Sequence, residues 1–238
     1  MVVLVEIVVS EAAERLGVGP SRVRQLLNAG DLQGRRAGRD WLVSADDVAR
    51  LQGQRRRPGR PLGPLRAWGL LDLLEGGAAP WLSYSARSQV RSSMSRLRDV
   101  GADHWRSMLR GRSRVVRVVA HPAAIPRLLA RPEVHAAGAV EAVRRGFDLV
   151  ALESQRDEVY VPSEEWPALK KSLTLRDAGP GEEASLVVRM PERVWPFDSP
   201  GGVSDAALAA DLLEAAEPRA VSAGDRRLSE LLREWQSK

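Results

Sequence analysis

The 238-residue chain has no cysteine, and that absence removes disulfides, thiolate zinc sites and cysteine nucleophiles together. A reducing cytoplasm is the compartment that fits. Only three histidines occur, His104, His121 and His135, and their separations of 17 and 14 residues match no metal-ligand spacing. No glycine-rich loop follows a strand to cradle phosphate; Gly76-Gly77 and Gly201-Gly202 lack the flanking pattern and read as turns. The acidic pairs Asp46-Asp47, Glu164-Glu165 and Glu182-Glu183 are neighbours in sequence, so their carboxylates point apart instead of forming a working dyad. Neither catalysis nor a cofactor nor a metal is expected.

A long apolar run is also missing. Met1 to Val9, MVVLVEIVV, lacks a basic leader, is too short to span a bilayer and carries Glu6 in its middle. It reads as a strand leading into a first helix, with an edge open to a wing or to a second subunit. No membrane association is expected.

What is present is basic charge in one place. Met1 to Arg66 holds 12 basic against 7 acidic residues, an excess equal to the whole chain's +5, and the remainder is neutral at 24 against 24. Polyanion binding concentrates positive charge in this way, because each phosphate neutralised releases a condensed counterion. The length and the 44% apolar composition suffice for a small reader followed by a larger body.

The charged region has its own pattern. Ser10 is placed to cap a helix whose apolar face is Ala12, Ala13 and Leu16, and Gly17 can end it in the left-handed conformation. Val18 is left to plug the corner. Pro20, with its preset φ, opens a second helix in which Val23, Leu26 and Leu27 form the buried stripe. Ser21, Arg22, Arg24, Gln25 and Asn28 then face water, where they can read base edges and grip phosphates. After Asn28-Ala29-Gly30, Gln33 to Arg36 and Asp40 to Val43 pair around Ala37-Gly38-Arg39 as a wing bearing Arg35, Arg36 and Arg39, with Trp41 beneath it. Ser44-Ala45-Asp46-Asp47 starts a third helix that returns Val48 and Leu51 to the core.

This stretch, Val9 to Leu51, resembles the winged helix-turn-helix of the excisionase and MerR superfamily, with its AA-x-x-LGV turn, basic recognition helix, G-x-L and GRxW-like wing. Gly19 departs from the family's usual Ser or Thr cap, at a loss of about a few tenths of a kcal/mol. The resemblance implies double-stranded DNA as partner. Arg22 and Gln25 lie near the start of the second helix on its outward face, as base readers would; Arg24, Arg35, Arg36 and Arg39 are assigned to phosphate. A protein-binding module of the same fold is the alternative.

Gln52 to Pro61, QGQRRRPGRP, cannot bury an apolar face and reads as an exposed linker carrying Arg55, Arg56, Arg57 and Arg60. Gly59-Arg60-Pro61 resembles the AT-hook, although Pro58 breaks its central Arg-Gly-Arg-Pro. A non-specific phosphate clamp and a plain solvated linker both stay open.

Helices are expected next, over Pro64 to Gly76 with Leu65, Trp68, Leu71 or Leu74 on one face, from Ser83 or Ser85 onward with Val90, Met94 and Leu97 buried, and around His104 to Arg110. Arg87, Arg91, Arg96 and Arg98 fall on the polar side of the second of these. Beyond lie strands at Arg114 to Ala120 and Ser185 to Met190 and a hairpin of Phe147 to Glu153 with Glu158 to Pro162. Helices are placed at Pro122 to Ala130, Ala139 to Arg145, Ser163 to Ser172, Ser204 to Ala216 and Ala220 to Trp235. The fold class is α+β: a winged helix-turn-helix at 1–52, a basic linker at 53–63, a helical segment at 64–112 and a mixed α+β domain at 113–238.

Within Val115 to Leu232, the order HPAAIPRLLARPEV, AAGAVEAV, SLVVRMP, VWPF and ADLLEAAEPRAVSAGDRRLSELL resembles the carboxy-terminal body of AbiEi-type antitoxins of actinobacteria. The sharpest parts are Val187 to Pro191 with Trp195-Pro196-Phe197, and Asp211-Leu212-Leu213 with Pro218-Arg219. Read from the residues alone they are a core strand, an aromatic clamp and a helix corner. The resemblance implies an autoregulating antitoxin and transcriptional repressor of a toxin-antitoxin operon, with a nucleotidyltransferase-like toxin as possible partner and a homodimer on an inverted-repeat operator. An excisionase-like architectural factor and a toxin-capturing interaction module are the alternatives.

Overall fold

The computed structural model describes residues 6–16, 18–30, 32–38, 40–48, 61–149, 156–197 and 202–238. The chain divides into two compact units, Met1–Arg57 and Pro58–Lys238.

In the first unit β1 (Glu6–Val8) runs straight into α1 (Val9–Leu16), followed by α2 (Pro20–Asn28) and a hairpin of β2 (Gly34–Ala37) and β3 (Asp40–Ser44). Residues 45–48 are helical. The sheet is antiparallel with β3 at its centre, pairing Ile7 with Val43 on one side and Arg36 with Trp41 on the other. The amino-terminal strand therefore does complete the wing's sheet. Ala12, Ala13, Leu16, Val23, Leu26, Leu27, Leu32, Val43 and Val48 close the core, and Val18 and Trp41 pack against it. Ser10 is not a cap. The helix starts one residue earlier because Val9 is drawn into the core, which leaves Ser10 exposed in the first turn. Gly17 and Leu51 lie outside the described residues.

Two glycines in this unit are required by geometry. Gly38 turns the hairpin with φ +66°. Gly34 passes so close to β3 that a Cβ would stand 2.5 Å from the Leu42 carbonyl oxygen and 2.7 Å from Leu27 Cδ2.

In the second unit a five-stranded sheet of order β5-β6-β8-β4-β7 is built from β4 (Ser113–Val119), β5 (His135–Ala137), β6 (Asp157–Tyr160), β7 (Arg176–Asp177) and β8 (Leu186–Pro191). The β6–β8 pair is parallel and the others are antiparallel. Because strand side chains alternate between faces, Val118, Val159, Leu186, Val188 and Met190 meet α6 (Ala124–Leu129) and α8 (Trp166–Ser172) in one core. Tyr160 points the other way. There α3 (Pro64–Leu74), α4 (Tyr84–Met94), α5 (Ala102–Leu109), α7 (Gly138–Arg144), α9 (Asp205–Leu212) and α10 (Pro218–Gln236) contribute to a second, larger core. Residues 64–112 and the elements after them, drawn apart by sequence, share this core.

Three sequence expectations change here. The hairpin of Phe147 to Glu153 with Glu158 to Pro162 is absent among the described residues: Phe147 to Leu149 form no strand, and residues 150–155 lie outside the described set. The antiparallel edge of β6 is already taken by β5, with His135 opposite Tyr160, and α7 makes the connection between them. Second, α3 is buried nearly all round, from Ala67 through Leu71 and at Leu73 and Leu74, not along one face, because the unit wraps it on several sides. Third, α4 stops at Met94, and Leu97 packs only partly buried from the turn that follows. Ser83 is the residue that caps α4, accepting from Ala86 N.

Candidate nucleic-acid interface

Helix α2 is positioned from both ends. Pro20 sits in its first turn after an extended Gly19 that supplies no side-chain cap, and Gly30, at φ +78°, lets the chain leave. Burying Val23, Leu26 and Leu27 commits the rest of the helix to solvent. Ser21, Gln25 and Asn28 fall on one stripe at helical spacing, with Arg22 and Arg24 flanking it, and all five are exposed. Arg22 Nη1 donates to Gln25 Oε1 over 3.0 Å, so two of these groups are held together before any ligand arrives.

The wing is exposed along all of β2. Its arginines differ in environment. Arg35 makes two bonds to Glu6, 2.9 Å from Nε to Oε1 and 2.7 Å from Nη2 to Oε2, which raise its pKa above the ordinary value. Arg36 lies 5.7 Å over the Trp41 ring, a cation–π contact that leaves its charge unneutralised. At the wing's base, Gln33 N donates to Asp47 Oδ2 at 2.8 Å, and Ser44 Oγ accepts from Asp47 N at 3.3 Å, which makes Ser44 the expected cap of the third helix. Arg39, Arg55, Arg56, Arg57 and Arg60 lie outside the described residues.

Sequence reasoning missed the Glu6 partner of Arg35, because the two are 29 residues apart and only the β1–β3–β2 order brings them together. It also missed a buried charge cluster in the second unit. Asp211, in a helix that is otherwise Ala and Leu after its first residue, Asp205, is 2% exposed. It accepts from Arg112 Nη2 (2.7 Å) and from the Tyr160 hydroxyl (2.6 Å). Arg189 and Arg112 share Glu214, and Arg189 Nε donates to Glu158 Oε2 at 2.8 Å. Burial pushes the Tyr160 hydroxyl well above its usual range, so it stays a donor to Asp211. Burial also pushes Glu158 up. For Glu214 burial acts in the same direction, but Arg112 and Arg189 outweigh it and hold its carboxyl below the ordinary value. An acid in the apolar interior of that helix marked Asp211 itself, though not its partners.

Two of the three histidines have defined side-chain partners. His121 Nδ1 accepts from Ala123 N ahead of α6, and His135 stacks on Trp195 with ring centroids 5.6 Å apart. The expected aromatic clamp is real: Phe197 packs against Tyr160 at 4.7 Å, Trp195 at 5.0 Å and Trp68 at 5.4 Å. Among the described residues no cluster of three or more His, Asp or Glu could hold a metal ion, and no helix is long and apolar enough to cross a membrane.

Residues 9–56 match the family model of a helix-turn-helix domain. The match covers the two helices, the wing and the start of the third helix, and it supports the excisionase-type reading of this unit. The first unit thus carries a helix-turn-helix domain of a kind that suggests DNA binding, and the second unit is an α+β body. No curated protein and no solved structure matches it.

Proposed function

We propose that the chain is a sequence-specific transcriptional repressor that lays α2 in the major groove of duplex DNA and sets its wing against the flanking backbone. The carrying observation is the exposed stripe of Ser21, Gln25 and Asn28, flanked by Arg22 and Arg24, on a helix whose other face is wholly committed to the core. Arg and Gln side chains can each make paired hydrogen bonds to a base edge, whereas Arg24 and Arg36 suit phosphate. Two copies on an inverted repeat would place half-sites about 10 bp or a multiple apart. In this reading the chain performs no reaction and acts in the cytoplasm. Footprinting on the chain's own upstream region is the test: a protected inverted repeat supports it, and equal affinity for that fragment and scrambled duplex at physiological salt refutes it.

The narrower reading is an autoregulating antitoxin whose operon also encodes a nucleotidyltransferase-like toxin. Its support is the motif order across Val115 to Leu232. Of the sharpest of those motifs, Phe197 and Asp211 are buried, whereas Pro218 and Arg219 are exposed. A neighbouring nucleotidyltransferase gene whose toxicity this chain relieves would support it; a neighbouring integrase would favour the architectural alternative.

A further inference from the structure

We propose that the outward face of α4, together with Arg66, is a second surface for the phosphate backbone of duplex DNA; this rests on duplex DNA being the ligand of the first unit. Between Glu75 and Asp99 the chain has no acidic residue, yet it carries four arginines and six serines. Since the chain beyond Arg66 is neutral overall, this is a local segregation of charge.

The fold sorts those residues. Arg87 is turned inward, with Nη2 donating to the carbonyls of Ala79 (3.3 Å) and Leu82 (3.2 Å), while Val90 and Met94 enter the core. The opposite side exposes Tyr84, Ser88, Arg91, Ser92 and Ser95. Tyr84 is 87% exposed, in contrast to the chain's other tyrosine, Tyr160, which is fully buried. Arg66 reaches across from α3 to donate to Gln89 Oε1 at 2.7 Å, and Arg96 is held by Ser92 Oγ at 2.6 Å.

Those partners are neutral. Among the described residues no carboxylate forms an ion pair with Arg66, Arg91 or Arg96, so their hydrogen-bond partners leave the positive charge in place. Unneutralised guanidinium groups among hydroxyl and amide donors, in a segment with no acid of its own between Glu75 and Asp99, have the chemistry of backbone contact. The face offers one large apolar group, Tyr84, and so lacks the apolar core that a protein interface or a membrane contact would need. The partner it fits is the sugar-phosphate backbone, irrespective of sequence.

The test is the salt dependence of duplex binding by the full-length chain carrying R66A/R91A/R96A, on its upstream fragment and on scrambled duplex. Loss of three phosphate contacts is expected to make the slope of log affinity against log salt shallower by about 2 to 3 on both DNAs, with their affinity ratio unchanged. R66K/R91K/R96K, which keeps the charge, is expected to retain the slope. An unchanged slope in the alanine variant overturns the inference while leaving the repressor reading intact. Equal losses in the alanine and lysine variants overturn it too, since charge would then not be the cause. A wild-type chain without operator preference, whose slope still falls in the alanine variant, would refute the repressor reading and sustain this surface.

Discussion

Arg22 and Gln25 stand one turn apart on α2 and are joined by a 3.0 Å hydrogen bond from Nη1 to Oε1, on the face that the core leaves to solvent. The bond engages the Gln25 amide oxygen as acceptor and leaves its NH2 donors and the other Arg22 N–H groups out of the pairing. Under the repressor proposal the two side chains would act as one reading element.

Arg22→Ala is accordingly expected to lower the ratio of operator to random-duplex affinity by about 1 to 3 kcal/mol. Gln25→Ala is expected to do the same, and the double variant to lose less than the sum, because each side chain fixes the other. A double-mutant cycle by titration on operator and scrambled DNA measures this. Strict additivity would show that the pair reads independently, and equal loss on both DNAs for Arg22→Ala would remove it from base reading.

The wing holds two neighbouring arginines in different states. Arg35 is engaged twice by Glu6, whereas Arg36 rests on Trp41 with its charge uncompensated. Arg36→Ala is expected to weaken every duplex alike and reduce the salt slope by about 1. Glu6→Gln, which removes the carboxylate charge beside Arg35, is expected to tighten non-specific binding and steepen the slope by about 1, with little change in stability for so exposed a pair. Binding curves at a series of salt concentrations separate the two.

Much of the reader was legible because its signals are local. Val23, Leu26 and Leu27 announce one face of α2, Gly38 the hairpin tip and Ser44 the next cap, each within a few residues of what it controls. Where a local signal competed with packing it lost: Ser10 is a good capping residue, but the burial of Val9 advanced the helix past it. Phe147 to Leu149 had strand composition, yet β5 held the only edge of β6 not taken by β8. The charge cluster was illegible because Arg112, Glu158, Arg189 and Asp211 meet only once the sheet is assembled, and no spacing along the chain encodes that meeting.

Breaking that cluster is expected to destabilise the second unit. Asp211→Asn keeps the shape but leaves Arg112 and Arg189 facing a neutral group in a buried site, at an expected cost of about 3 to 5 kcal/mol. Tyr160→Phe deletes one bond to the same carboxylate and is expected to cost less, about 1 to 3 kcal/mol. Urea denaturation followed by tryptophan fluorescence reads both, and an Asp211→Asn chain as stable as wild type would show that the charge is dispensable. Acid acts on the same groups. Glu214 is held below its ordinary value in the folded state, so its contribution is present above the unfolded carboxylate pKa and is lost as pH falls through the lower folded one. Glu214→Gln is expected to flatten that acid-side decline.

Gly34 provides the last test, at the junction of helix and wing. A Cβ there would stand 2.5 Å from the Leu42 carbonyl oxygen and 2.7 Å from Leu27 Cδ2, and the first of these is backbone that cannot rotate aside. Gly34→Ala must therefore push β2 away from β3 or displace Leu27, the residue that seats α2 in the core, at a cost of about 1 to 3 kcal/mol. Hydrogen exchange is expected to quicken at the amides of α2, β2 and β3 while those of β4 and β8 keep their protection, since the latter belong to a separate core. Gly19→Ser is the opposite case: nothing lies within 4 Å of its would-be Cβ, the backbone is already extended, and the added hydroxyl supplies the missing cap. It is expected to stabilise the reader by a few tenths of a kcal/mol, roughly the Ser-over-Gly capping difference, without altering the operator preference. A destabilised Gly19→Ser chain would show that this corner is not the helix start described here.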